Sequence, residues 1–313
     1  MRYLLICLLF IVGGFTNTRA QQNPVYSQYI FNGLVINPAY AGSHVQMSLT
    51  AMYRNQWVNL DGAPKTYSIT GHTALMKQKI GVGLMLTNDE IGSYSSQSMY
   101  GSYAYILKTP AGKLSLGLQA GFNLVSADFS DLNLIDPGDG SFATVSNRFR
   151  PNFGAGVYFQ NKIFSAGFSV PFLLNNSISA DEIEGVLSEI REARYYYLHG
   201  GMLLPLSRMG HVQLNPGLLV RAQEGSPLSM DVNVGFIFYD VFSVGASYRN
   251  IDAIVTYLDL KLSEQLHFGY SYDWTTSDLN QFSNGTHEFM LNFRFRVRKI
   301  HGNVECPTYY QYQ

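Results

Sequence analysis

Charge is scarce in this chain. Only 14% of its 313 residues are Asp, Glu, Lys or Arg, against roughly 25% in soluble domains. Long apolar runs are missing as well. The longest, Leu4–Val12, is too short to cross a bilayer as a stable helix. Mean hydropathy is close to zero, which excludes a bundle of membrane helices. The chain has 2 cysteines, Cys7 in the first apolar run and Cys306 near the end. An exported protein that keeps only Cys306 has no internal disulfide. The 7 histidines show no metal-ligand spacing, and Cys306 has no nearby His or Cys partner. There is no Gly-x-Ser-x-Gly elbow for a nucleophilic serine. A formal net charge of -1 gives no basis for a nucleic-acid partner.

What is abundant points elsewhere. Aromatic residues reach 14%, with 22 Tyr and 20 Phe, and there are 29 Gly. Few charges, many aromatics and average hydropathy suit a transmembrane β-barrel, where only alternate residues need to be apolar. Met1–Ala20 reads as a secretory signal peptide: Arg2 is the basic start, Leu4–Val12 the apolar centre and Thr18-Arg-Ala20 the cleavage site. The expected organisation is a signal peptide at 1–20, a leader or plug at 21–44, a barrel at 45–296 and a periplasmic tail at 297–313. The leader contains Asn23-Pro-Val-Tyr-Ser-Gln-Tyr29 and Ile36-Asn-Pro-Ala-Tyr-Ala-Gly42. Its prolines and turn formers argue against a long regular element. It reads either as a plug in the barrel mouth or as an ordered segment packed on the first strand.

From residue 45 the hydrophobic pattern has period two. Predicted strands cover 45–57, 65–75, 79–88, 94–108, 113–127, 151–160, 163–172, 195–205, 211–222, 228–239, 241–249, 252–262, 266–274 and 286–296. The closing stretch is the clearest: Phe289, Leu291, Phe293 and Phe295 share one face, while Glu288, Asn292, Arg294 and Arg296 share the other. An aromatic face opposite arginines fits a strand between lipid and an aqueous interior. By itself this stretch is also compatible with the edge of a soluble sheet. The connections separate the two readings. Tight turns such as Met76-Lys-Gln-Lys79 and Tyr239-Asp240 alternate with connections that include long ones near 128–150, 173–194 and 275–285. About fourteen antiparallel strands, with short turns on the periplasmic side and both ends there, is the expected outer-membrane fold. One segment, 180–194, has helical spacing in Ile183, Val186, Leu187 and Ile190.

Few residues suggest chemistry. Asp131, Asp136 and Asp139 share a loop with Gly and Pro, but their spacing is not an EF-hand and an exposed turn accounts for them. His72, His199, His267 and His287 fall in strands, where each reads as a polar lining or rim residue. Tyr53-Arg-Asn-Gln-Trp57 ends the first strand. With Tyr53 toward lipid, Arg54 and Gln56 point inward, and Trp57 is expected in the outer aromatic girdle. An inward Arg54 needs acceptors, and Asp231, Asp273 or Glu288 on other strands can supply them.

Several motifs resemble the PorP/SprF family of type IX secretion system membrane proteins, found in Bacteroidota. They are Tyr26-Ser-Gln-Tyr29, Asn37-Pro38-Ala-x-x-Gly42, Tyr53-Arg54-Asn55-Gln56-Trp57, Thr66-Tyr-Ser68, Ser169-Val-Pro171, Gly245-Ala-Ser-Tyr-Arg249, Gly269-Tyr-Ser-Tyr-Asp273 and Thr286-His-Glu288. The likeness extends from about Gln22 to Arg296. It implies an outer-membrane barrel without catalytic activity or cofactor, touching membrane lipid. It also implies a role as an accessory for secreted cargo such as gliding adhesins, in some members together with periplasmic ring lipoproteins. No functional residues carry over from the family. The reading is therefore an outer-membrane adaptor of type IX secretion. The alternative is a small-solute channel, lined by Arg54, Arg221, Arg249 and Arg294. Inward glycines leave room for a plug on either reading.

Overall fold

The computed structural model describes residues 24–129, 145–175, 177–178, 190–191, 194–207, 211–224, 226–250 and 252–295. The signal peptide, the Asp131–Gly140 loop and the tail with Cys306 lie outside the described residues. So does most of the segment expected to be helical; its end, Ile190–Arg191, pairs as strand with Ser177–Ile178.

Fourteen antiparallel strands close into one barrel. They are β1 Met47–Asn55, β2 Lys65–Leu75, β3 Ile80–Ile91, β4 Tyr94–Thr109, β5 Gly112–Ala127, β6 Val145–Gln160 and β7 Phe164–Val170. The second half is β8 Tyr195–Met202, β9 Val212–Gln223, β10 Ser229–Phe238, β11 Phe242–Arg249, β12 Ala253–Lys261, β13 Leu266–Thr275 and β14 Thr286–Phe295. Leu204–Pro205 continues β8 onto β9 past a break at Leu203. Each strand pairs with its sequence neighbours, and β1 pairs with β14 from Met47↔Phe295 to Asn55↔His287. Each strand therefore has a neighbour on both sides, which is how a sheet satisfies its backbone groups inside a membrane.

The partition of side chains is inverted relative to a soluble protein. Leu118 is 62% exposed, whereas the next residue, Gln119, is 5% exposed. Outward positions carry Ile69, Leu84, Phe153, Leu198, Val232, Tyr248, Leu291 and Phe293, all exposed. Inward positions carry Thr50, Ser68, Thr70, Ser102, Asn152, Asn233, Ser271 and Asn292, all buried. Leaving a Leu or Phe in water instead of burying it costs about 1.5–3 kcal/mol, so a whole exposed outer face calls for hydrocarbon around it.

Apart from the break at Leu203 and shifts of one or two residues at strand ends, the strand pattern departs from the predicted one in two places. β3 reaches Ile91, because a turn at Gly92–Ser93 lets Ile91 pair with Tyr94. β6 starts at Val145 and not at Pro151, since Phe149 stays outward and Arg150 inward ahead of the proline. Trp57 sits just beyond β1 at φ 49, partly buried, with its backbone N–H on Thr286.

Residues 24–44 run inside the barrel. Three 3-10 turns, Gln28–Ile30, Gly33–Val35 and Pro38–Tyr40, carry them from the long-loop half of the lumen toward the short-turn end, where β1 begins. Leu34, Ile36, Ala39 and Ala41 are buried. The segment after β7 also folds inward: Gln119 donates to the Pro171 carbonyl at 2.8 Å and Phe172 meets the Tyr100 ring.

Candidate functional site

The lumen is where the motif residues converge, and strand register explains why. In the β1–β14 ladder Arg54 lies directly opposite Glu288, and in the β10–β11 ladder Asp231 lies opposite Arg249. All four are on inward positions, with Asp273 between them on β13. Arg54 Nη1 donates to Glu288 Oε2 at 2.8 Å and its Nη2 to Asp273 Oδ2 at 2.9 Å. Arg249 Nη2 donates to Asp231 Oδ2 at 2.9 Å, and its Nη1 reaches Asp273 Oδ2 at 3.4 Å. Ser247 Oγ also donates to Asp231. The register thus brings Arg54, Arg249, Asp231, Asp273 and Glu288 together; of the three expected acceptors, Asp273 and Glu288 take Arg54, while Asp231 takes Arg249.

Two guanidinium groups face three carboxyl groups here, so the acceptor oxygens need a further source of donors. The leader supplies it. The backbone N–H groups of Ser27 and Gln28 donate to the two Glu288 oxygens, both at 2.9 Å. Ser27 Oγ donates to Asp273 and accepts from Arg54 Nη1 at 3.1 Å. Gln28 Nε2 donates to the Glu288 carbonyl, and Asn233 on β10 donates to the Tyr29 hydroxyl at 3.1 Å. A buried ion cluster needs its remaining lone pairs satisfied to be tolerated. Docking of the leader and ionisation of the cluster are therefore linked.

The second motif anchors the leader's other half. Asn37 Oδ1 accepts from the Ala39 N–H at 2.9 Å, capping the turn in which Pro38 has no N–H to satisfy. Its Nδ2 donates to the Val157 carbonyl on β6 at 3.0 Å. Ser169 on β7 donates to the Ile36 carbonyl at 2.6 Å, and Asn32 donates to Thr70 on β2 at 2.9 Å. Gly42 has φ +74 and lies against Gly81, where an added Cβ would collide with the Ala41 backbone. At Gly117 a Cβ would strike Ala39. Inward glycines are thus the places where the leader touches the wall. Burial pushes the Tyr26 hydroxyl up to about 12 and holds the His44 imidazole well below its usual value. Both leader groups stay neutral at neutral pH.

Other sequence candidates have structural partners. Tyr53 faces outward, its ring 4.9 Å from Tyr67, and Asn55 closes the β1 ladder opposite His287. The Gln56 N–H is held by the Pro64 carbonyl. His72 accepts from the Gly42 N–H, His267 meets Asp259 at 3.2 Å, and His287 meets the Tyr270 hydroxyl at 2.8 Å. Among the described residues no group of His, Cys, Asp and Glu is placed to hold a metal ion. Sequence reasoning passed over Ser27, Gln28 and Asn32 as site residues. The one available signal was their position in or beside the Tyr26–Tyr29 motif.

Comparison with known proteins adds the family. Residues 18–293 match the family described as type IX secretion system membrane protein PorP/SprF. No functionally curated protein matches the chain. Among solved structures, the CymD monoaromatic hydrocarbon channel is similar at 11% identity and TM-score 0.51, over 86% of this chain and 94% of that one. The outer-membrane protein Omp33 of Acinetobacter baumannii is similar at 10% identity and TM-score 0.46, over 81% and 98%. At such identities these likenesses concern the fold alone.

Proposed function

Since the chain belongs to the PorP/SprF family of type IX secretion system membrane proteins, we propose that it serves as an outer-membrane adaptor. It holds secreted cargo, such as an adhesin, or the secretion machinery at the membrane. It is an outer-membrane β-barrel, and its family is one of secretion-system membrane proteins and not of enzymes.

One observation carries the adaptor reading: the leader crosses the lumen and is bonded to β1, β2, β6, β7, β10, β13 and β14. A barrel filled in this way offers partners its rims, its loops and its outer face. Its interior is committed to holding the leader. Periplasmic ring lipoproteins are the proposed neighbours on the short-turn side, and cargo on the long-loop side. The adaptor makes or breaks no bond.

Deleting the gene and measuring surface display of type IX cargo tests the role. Loss of display of at least one adhesin, restored by the wild-type chain, is expected. Unchanged display of all cargo would remove the adaptor reading. The channel alternative is tested on the purified protein in planar bilayers, where the docked leader is expected to keep conductance absent.

A further inference from the structure

Basic side chains gather on one arc of the short-turn rim. Met76, Lys77 and Gln78, between β2 and β3, all adopt left-handed backbone, with φ 48, 59 and 61. Side chains with a Cβ rarely take that conformation once, and here three take it in succession. The turn places Met76 in the open, 71% exposed. Lys108 Nζ, from the end of β4, donates to the Lys77 carbonyl at 3.0 Å, and Lys113 Nζ, from the start of β5, donates to Gln78 Oε1 at 3.1 Å. The Ile106 N–H donates to the Lys79 carbonyl. Lys162 sits at the next short turn, between β6 and β7. Among the described residues none of these five lysines pairs with a carboxylate. The exposed acid Glu264, on another turn of this rim, is taken by Lys261 at 3.0 Å.

We propose that the arc formed by Met76–Lys79 with Lys108, Lys113 and Lys162 docks an acidic polypeptide segment that also carries an apolar side chain for Met76. The proposal deepens the adaptor reading by naming a surface, and it rests on that reading for the partner's presence at this rim. Lys108 and Lys113 continue the inward-facing positions of β4 and β5, so they border the lumen mouth and not the lipid face. Their ammonium groups are held over the turn by neutral acceptors, which leaves their charge uncompensated. That arrangement matches carboxylates arriving from the aqueous side. An apolar tip on a fixed, strained turn suits a shaped protein partner better than fluid headgroups.

The test uses the full-length protein in zwitterionic lipid nanodiscs with two fluorescent probes. One peptide alternates Glu and Leu, and its control alternates Lys and Leu. The Glu peptide is expected to bind in a salt-sensitive way, and the Lys peptide is not. Replacing Lys77, Lys79, Lys108 and Lys113 together by Gln is expected to weaken binding by about tenfold, the combined effect of several screened pairs. Lys65→Gln on the opposite rim should leave it unchanged. Where the combined variant does not fold, the Lys77→Glu, Lys79→Glu double variant replaces it, because neither side chain makes a bond in the turn. Equal binding of the two peptides, or unchanged affinity in the variant, would overturn the proposal. So would lysine-dependent binding seen only with phosphatidylglycerol nanodiscs, which would make the arc a headgroup contact. In cells, normal cargo display by a charge-reversed chain that no longer binds the Glu peptide would overturn this surface while leaving the adaptor reading in place.

Discussion

Arg54 shows how much one side chain holds together. It is 2% exposed and bridges Glu288 on the facing strand, Asp273 on the strand beyond and Ser27 of the leader. Replacing it with Met leaves two buried carboxylates short of a cation, a change that costs about 3–5 kcal/mol in comparable clusters. Arg54→Met is expected to lower the urea midpoint of the vesicle-embedded protein and to expose the leader to protease. Adding Glu288→Gln should recover part of the loss. A midpoint shift equivalent to less than about 1 kcal/mol would mean that the cluster is solvated and not what fastens the leader. Gly81→Val acts on the other half of the leader from the wall side, since its side chain would meet the Ala41 backbone. It should loosen the leader while leaving the ion cluster's residues intact.

The leader is the element that separates this barrel from an open one. Its bonds reach strands on every side of the lumen, so it is a cross-brace as well as a filling. Removing residues 24–44 takes away the N–H donors to Glu288 and empties the centre of the barrel. The truncated chain is expected to conduct ions in planar bilayers, where the intact chain does not. It should also unfold at lower denaturant. A silent truncated barrel would show that other segments, such as the inward fold at Pro171–Leu174, close the lumen by themselves. The motif Asn37-Pro38-Ala-x-x-Gly42 belongs to this scale too. Its cap, its missing N–H and its left-handed glycine are what fit an irregular backbone into a polar tube.

For the whole molecule, the register Met47↔Phe295 sets both barrel ends on the short-turn side. That topology makes a labelling prediction in a chain with Cys306→Ser. A cysteine at Phe282, exposed on the β13–β14 loop, should react with an impermeant maleimide on intact cells. One at Met76 should react only after the outer membrane is opened. The reverse pattern would invert the barrel and move the lysine arc to the cell surface. The outer apolar face also requires that extraction depend on detergent. A chain that stayed monodisperse in plain buffer would contradict the lipid-facing assignment.

Much of the fold follows from local order along the chain. A strand's side chains alternate, so the apolar face of β5 or β14 was readable from a dozen residues, and the unequal connections separated a short-turn side from a long-loop side. The sequence alone therefore determined the barrel, a strand number of about fourteen and the inward direction of Arg54, and barrel closure set the number at fourteen. Where the leader goes was left open, because an irregular, proline-bearing segment has no period from which its surroundings can be read. The partner of each inward charge was equally hidden. Pairing across the β1–β14 and β10–β11 ladders depends on register between distant segments, with Arg54 and Glu288 lying 234 residues apart. Only closure of the barrel brought Ser27, Arg54, Arg249, Asp231, Asp273 and Glu288 to one point, where a low-dielectric interior makes each of them depend on the others.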